Sequence, residues 1–382
     1  MFLFKFKKPR RKIYTPISRR GLRLSTKKKG LVDKGLLFTS LMLTILGFVA
    51  IADASAPLAL SVFSDSLYFV KQQILWGILG FILLIVSSML PYNFWKKIAL
   101  PLFVLSVILL ILVLFPAFGS KVLGARRWLN LGLVSFQPSE FVKLTLAIYL
   151  AYLLEKKKAF WINLIPIILV SGLIMLQPDL GTTIIIILIG FSQLFVSGIN
   201  ILWLAGLGLL TTLSGFLLIH FSEYRRERVL SFIKSISDPL GSSYHIRQIL
   251  LALGSGGITG VGLGQSRQKF LFLPEVATDS VFAIISEEIG FIGASVIIIG
   301  FFFLTYKMYK IALKTTDPFS RYLATAITAW IGGQVFLNIG SMVALVPLTG
   351  IPLPFFSYGG SSLVMILVAI GILINISKHA KE

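Results

Sequence analysis

Residues 244–290, YHIRQILLALGSGGITGVGLGQSRQKFLFLPEVATDSVFAIISEEIG, decide what kind of protein this is. The stretch starts polar and passes Gly254, Gly256, Gly257, Gly260, Gly262 and Gly264. It continues through Arg267, Lys269 and a Leu273-Pro274-Glu275 turn, then enters an apolar helix carrying Asp279, Glu287 and Glu288. Carboxylates at the mouth of a membrane span are costly to keep there, and point to function. The rest of the chain reads as scaffold for this entrance.

Composition agrees. With 56% hydrophobic and 13% charged residues, and repeated apolar runs long enough to cross a bilayer, the chain is an all-α polytopic membrane protein. The runs predict ten spans, at 35–53, 68–90, 97–116, 138–154, 160–176, 180–197, 201–220, 279–306, 319–345 and 355–377. They make one integral domain (35–377), with a basic, disordered tail (1–34), a long loop (221–278) between the seventh and eighth helices, and a short C-terminus (378–382). No cysteine is present, so disulfides, thiolate metal sites and a cysteine nucleophile are excluded.

The net charge of +21 is concentrated. Lys5 to Lys34 is strongly basic, which signals topology and contact with anionic membrane lipids rather than nucleic acid. No cleavable signal follows the tail. Lys96 and Lys97, Lys156 to Lys158, and Lys307, Lys310 and Lys314 all fall on the tail's side, so positive-inside counting makes both termini cytoplasmic. Two outside segments break the pattern. One carries Lys121, Arg126 and Arg127; the other, Phe221 to Thr278, carries Arg247, Arg267 and Lys269 among others. Either they contact lipid head groups or they hold an anionic ligand, such as a pyrophosphate gripped by guanidinium forks.

Inside the long segment, Glu223 to Ile236 alternates charged and apolar residues at helical spacing, with Val229, Phe232 and Ile233 on one face, and is expected to lie on the membrane. A second short helix is expected at Tyr244 to Leu253. The glycines after it let backbone N–H groups approach a ligand or another helix; no Walker or Rossmann context surrounds them.

Taken residue by residue, Asp279 is either a general base or a cap at a helix start. Glu287 and Glu288 lie about 12–14 Å deeper on a continuous helix, and are expected to pair with buried cations or donors, Lys143 first. Lys143 stands three residues after Glu140, as a packing or cavity residue. Trp128 either stacks on sugar or anchors at the interface. Asp179 caps the sixth helix, and SYGGSS at 357–362 suits close helix packing.

The motifs GARRWLNLG (124–132), FQPSEFVKL (136–144), QPDLGT (177–182), GSGGITGVGLGQSRQKFLFLPE (254–275), the TD and EEIG elements (278–290) and PLTGIPLPFFSYGGSSL (347–363) resemble those of the SEDS family, the shape, elongation, division and sporulation proteins of the FtsW and RodA type. The resemblance spans nearly all the chain after residue 35. It implies a ten-helix bacterial inner-membrane glycosyltransferase that polymerises lipid II with a class B penicillin-binding transpeptidase. Residues 54–73 are more similar to the division branch than to the elongation branch, which implies divisome partners and a septal location. Three positions depart from the family pattern: Ala277 stands where His or another polar residue is usual, Ser280 where Phe is common, and the first span ends in IADAS.

The family's catalytic aspartate maps onto Asp279. Polymerisation needs a base for the acceptor 4-hydroxyl and positive charge on the departing pyrophosphate. Asp279 fits the first role, and Arg126, Arg127, Arg247, Arg267 and Lys269 the second. Glu275, Glu140, Glu287, Glu288, Lys143 and Asp179 complete the polar set. A divalent cation, Mg or Mn, would suit the pyrophosphate, though no residue demands one. Rival functions are a lipid II flippase, which needs charges along a path through the bilayer, and a non-catalytic scaffold for the transpeptidase.

Overall fold

The computed structural model describes residues 33–122, 125–130, 132, 135–221, 226–227, 229–233, 244–270 and 272–379. The basic tail before Asp33, Gly124, residues Arg225, Arg228 and Lys234, and the last three residues lie outside the described residues.

The protein is a mostly helical membrane protein. Its main helices are α1 (Lys34–Phe63), α2 (Tyr68–Met89), α3 (Tyr92–Lys97), α4 (Ala99–Leu112), α5 (Pro138–Glu155), α6 (Phe160–Met175), α7 (Leu180–Val196), α8 (Ile201–His220), α9 (Tyr244–Ser255), α10 (Val281–Lys314), α11 (Pro318–Met342) and α12 (Gly360–Ser377). By length and apolar composition α1, α2, α10, α11 and α12 can each cross a membrane. Further apolar helices, α4, α6, α7 and α8, are shorter. α5 is interrupted chemically by Glu140, Lys143 and Glu155.

α12 is buried along its whole length, as expected of a helix apolar on every face. It packs on α2 through small residues. Gly80 abuts Leu367 and Val364, Gly360 abuts Trp76, Gly371 abuts Ser87, and the Ser87 hydroxyl donates to the Val368 carbonyl (3.2 Å). This is how membrane helices gain close contact without a hydrophobic drive between them. Gln193 ties three helices by donating to the carbonyls of Ala147 and Tyr322 (2.8 and 3.2 Å). The outward faces are apolar: Leu202, Leu209 and Phe216 on α8, and Phe291, Val296 and Phe302 on α10, are exposed, and suit acyl chains.

The two ends of the bundle differ. One gathers the start of α1, where Asp33 caps the helix by accepting from Leu36 N–H (3.0 Å) and meets Lys307 (3.4 Å), with Lys96, Lys378 and the Lys156–Lys158 run. The other gathers the hairpin described next, α9 and the segments around Asp279 and Pro347–Tyr358.

Within this mostly helical fold, a small antiparallel sheet of β1 (Gly119–Val122), β2 (Ala125–Asn130) and β3 (Ser135–Phe136) forms between α4 and α5, in that order. Two sequence expectations need correction here. α1 does not end at residue 53 but runs to Phe63, placing Asp53 within the helix. And α10 is not one rod, because Gly290 (φ 68°, ψ −171°) breaks it.

Candidate active site

The break in α10 organises the site. Residues 281–288 are buried, whereas residues 291–314 alone cover about 36 Å at 1.5 Å each, enough for a hydrocarbon core of about 30 Å. The first part is therefore a half-helix enclosed by protein. Broken backbone inside a membrane protein must find partners for its freed polar groups, and here the glycine-rich loop supplies them. Val261 and Gly262 N–H donate to the carbonyls of Glu287 and Glu288 (3.1 and 3.0 Å), while Phe291 and Ile292 N–H donate to Gly257 and Ile258 (2.9 and 3.1 Å). A Cβ on Gly256, Gly260 or Gly290 would strike the opposing backbone. So the glycines serve approach to another helix.

Glu287 and Glu288 then hold the rest of that loop. Glu287 accepts from the Ser266 hydroxyl, from Ser255 Oγ (3.2 Å) and from Arg267 N–H (3.2 Å). Glu288 accepts from Gly264 and Ser266 N–H (both 3.0 Å) and pairs with Lys269 (2.9 Å), which also meets Asp53 of α1 (2.7 Å). Two expectations fail here: neither glutamate pairs with Lys143, and Lys269, buried at 4% exposure, is an internal cation. Burial alone would lower its pKa, but its hydrogen bonds to Asp53 and Glu288 hold it above the ordinary lysine value.

Asp279 sits just before the half-helix. The N-cap position is Ser280, whose side chain makes no capping bond. The turn is fixed from several directions. Glu275, at φ 53°, accepts from Thr278 and Ser280 N–H through its carbonyl (3.1 and 3.2 Å) and from the Thr278 hydroxyl through its carboxylate (2.7 Å). Asn338 of α11 donates to the carbonyls of Asp279 (2.9 Å) and Ile351 (2.8 Å), and Tyr358 N–H donates to Ala277 (2.8 Å). Thr278 Oγ1 lies 3.2 Å from the Asp279 carboxylate, which a Cβ added at Gly350 would just touch.

A turn below Asn338, Gln334 donates to the Pro352 carbonyl (2.9 Å) and accepts from Trp330 (2.9 Å) and Lys143 (3.1 Å). Lys143 pairs with Glu140 (2.7 Å). This buried network supports the 350–352 loop beside Asp279 from beneath.

The expected clamp divides in two. β2 carries one residue more than β1 around Arg127, a bulge of the kind that re-aims a side chain. Arg127 donates to the carbonyls of Gln177 and Pro178 (3.2 and 2.6 Å) and lies 3.9 Å from Asp179. Asp179 itself caps α7 by accepting from Thr182 N–H (3.0 Å). In contrast, the guanidinium groups of Arg126, half-buried, and of Arg247 and Arg267, both exposed, have no partner among the described residues. Trp128 is half-buried opposite Ser120 on β1. Arg126→Lys should therefore lower turnover while leaving thermal stability alone. Arg127→Lys should lower stability by about 1–3 kcal/mol, having lost hydrogen bonds from a charged group. Paired rate and melting measurements on the two variants check this, and the same profile for both would refute the division.

Sequence reading missed His245. Its Nε2 lies 3.0 Å from Ser280 Oγ, joining α9, and with it Arg247, to the residue following Asp279. Both partners are legible in the chain, but nothing in their spacing brings them together. His245→Ala should slow turnover about 2–10-fold, the worth of one hydrogen bond, with His245→Gln recovering most of it. Unchanged turnover in the alanine variant would make the contact incidental.

The comparisons with known proteins can be set against this geometry. The family described as "Cell cycle protein", that of FtsW, RodA and SpoVE, matches residues 34–382. The chain is 41% identical over 365 residues to "Stage V sporulation protein E" of Bacillus subtilis, covering 93% of this chain and 100% of that protein. It is 37% identical over 357 residues to "Probable peptidoglycan glycosyltransferase FtsW" of Trichlorobacter lovleyi, covering 91% and 94%. A chain solved in work on "structural coordination of polymerization and crosslinking by a peptidoglycan synthase complex" superposes with a TM-score of 0.74 at 30% identity, over 91% of this chain and 97% of that one.

Proposed function

Because this chain belongs to the FtsW, RodA and SpoVE family of cell cycle proteins and is a peptidoglycan glycosyltransferase, we propose that it polymerises lipid II at the outer face of the bacterial inner membrane, with Asp279 as the base. The acceptor 4-hydroxyl oxygen bonds to the donor anomeric carbon and its proton passes to the Asp279 carboxylate. The bond from that carbon to pyrophosphate breaks with inversion, and the pyrophosphate keeps the electron pair. Arg126, Arg247 and Arg267 offset the charge that develops there. The observation that carries this reading is the placement of Asp279: a carboxylate on backbone braced by Asn338 and the Glu275 turn, at the head of an enclosed half-helix. The test is to incubate the purified protein with lipid II and Mg²⁺ or Mn²⁺, with and without a class B transpeptidase, and measure glycan length.

The flippase reading needs unsatisfied charge along a path. Glu287, Glu288 and Lys143, the groups that would serve it, are each satisfied internally, which favours polymerisation. The basic end of the bundle is assigned to the cytoplasm, with both termini. Residues 54–73 support a septal rather than an elongation role. A class B penicillin-binding transpeptidase and other divisome proteins are the partners proposed, the first in keeping with the synthase complex that contains the structural neighbour.

A further inference from the structure

We propose that the cleft between α3, α4 and the end of α5, at the pole opposite Asp279, binds the phosphate of an anionic phospholipid head group. The cleft is an open groove of about 610 Å³ lined by Asn93, Lys96, Lys97, Leu100, Pro101 and Tyr152, a size ordinary for a small-molecule site. Its chemistry is that of a phosphate cradle. Glu155 takes up the charge of Lys96, but Lys97 has no ion pair among the described residues. The Asn93 amide and Tyr152 hydroxyl make no hydrogen bond among them either. An ammonium, an amide and a phenol are all donors to phosphate oxygens. Lys156 lies over the Tyr152 ring, 5.8 Å from its centroid, and Lys157 and Lys158 follow in an exposed turn, so the rim is positive in excess of Glu155.

A lipid rather than a free anion is the ligand because one wall is apolar and faces outward. Leu100 is 52% exposed and Pro101 is exposed beside it, at the first turn of a membrane helix, where a glycerol backbone and acyl chains would continue. Basic pockets between helices on the side rich in lysine are where anionic head groups bind in membrane proteins. The cleft also joins elements distant in sequence: Lys96 to Glu155 is a contact between the α2–α4 connection and the end of α5. A bound head group would brace that contact.

The experiment is native mass spectrometry of the full chain in detergent, titrated with phosphatidylglycerol and with phosphatidylcholine of the same acyl chains. Phosphatidylglycerol should be retained selectively. Lys97→Gln should weaken it about fivefold and the Lys96→Gln/Lys97→Gln pair about 25-fold, at about fivefold per surface lysine. Lys97→Gln breaks no ion pair, so it decides the matter if the double variant fails to fold. Changing Lys156, Lys157 and Lys158 together to Gln should weaken binding less than the double variant, and millimolar inorganic phosphate should not displace the lipid. Equal retention of the two lipids, an equal or larger loss on changing the three outer lysines, or displacement by free phosphate would each overturn the proposal. None of these readings depends on polymerisation, so it stands or falls apart from the catalytic assignment.

Discussion

Asp279→Asn is expected to reduce lipid II polymerisation roughly 10²–10⁴-fold, the usual worth of a positioned acid or base, while the protein inserts, folds and binds the transpeptidase proposed as its partner as before. The expectation rests on what the substitution leaves intact. Asn338 and the Glu275 turn hold this segment through the backbone carbonyl of Asp279 and the amides of Thr278 and Ser280, and a side-chain amide changes none of them. The amide is close in size to the carboxylate and can still accept from the Thr278 hydroxyl, 3.2 Å away in the native turn. It cannot take a proton from a sugar hydroxyl. The measurement is the rate of glycan formation by purified variant and parent at equal melting temperature. A flippase would keep its transport and a scaffold would still support growth; polymerisation at the parental rate would remove Asp279 from the mechanism.

Much of the architecture was written in apolar runs. Each of the ten expected segments contains a helix, because membrane helices need only length and composition to be recognised. What composition cannot carry is interruption. EEIGFIGASVIIIG reads as one apolar helix, yet Gly290 breaks it, since the loop that satisfies the break lies some thirty residues earlier in the chain. The glycines at 254–264 did announce close backbone approach, without naming the partner. Once the break is known, the depth argument that directed Glu287 and Glu288 toward Lys143 fails, since it assumed a continuous span with its neighbours at the same depth.

Charge counting had a parallel limit. It found Arg127 and Lys269 anomalous for an outer surface and assigned them to a ligand, because counting cannot see burial. Lys269 is enclosed by two carboxylates and Arg127 is spent on backbone carbonyls. The hairpin that presents Arg127 was missed because its strands are short. The local signal was the glycine between KV and ARRWLN in the sequence, too brief to outweigh the apolar runs on either side.

The internal role of Glu288 leads to the second large expected effect. Glu288→Ala should destabilise the protein by about 3–5 kcal/mol, the range for removing one partner of a buried ion pair. The side chain is fully buried. Without it, the N–H groups of Gly264 and Ser266 lose their acceptor and Lys269 keeps only Asp53. The buried Ser266 N–H left unmatched costs about 1–3 kcal/mol, while the exposed Gly264 can turn to water. The glycine loop should then lift from the half-helix, bringing faster amide exchange at 257–269 and a lower melting temperature. Glu288→Gln should lie between, because its carbonyl oxygen can accept one of the two backbone bonds. Adding Lys269→Met to Glu288→Ala should recover part of the loss by removing the under-paired ammonium, a coupling that a double-mutant cycle reads directly. If Glu288 instead served a conduction path, Gln and Ala would abolish activity alike with melting and exchange unchanged, and that outcome would return the flippase reading to contention.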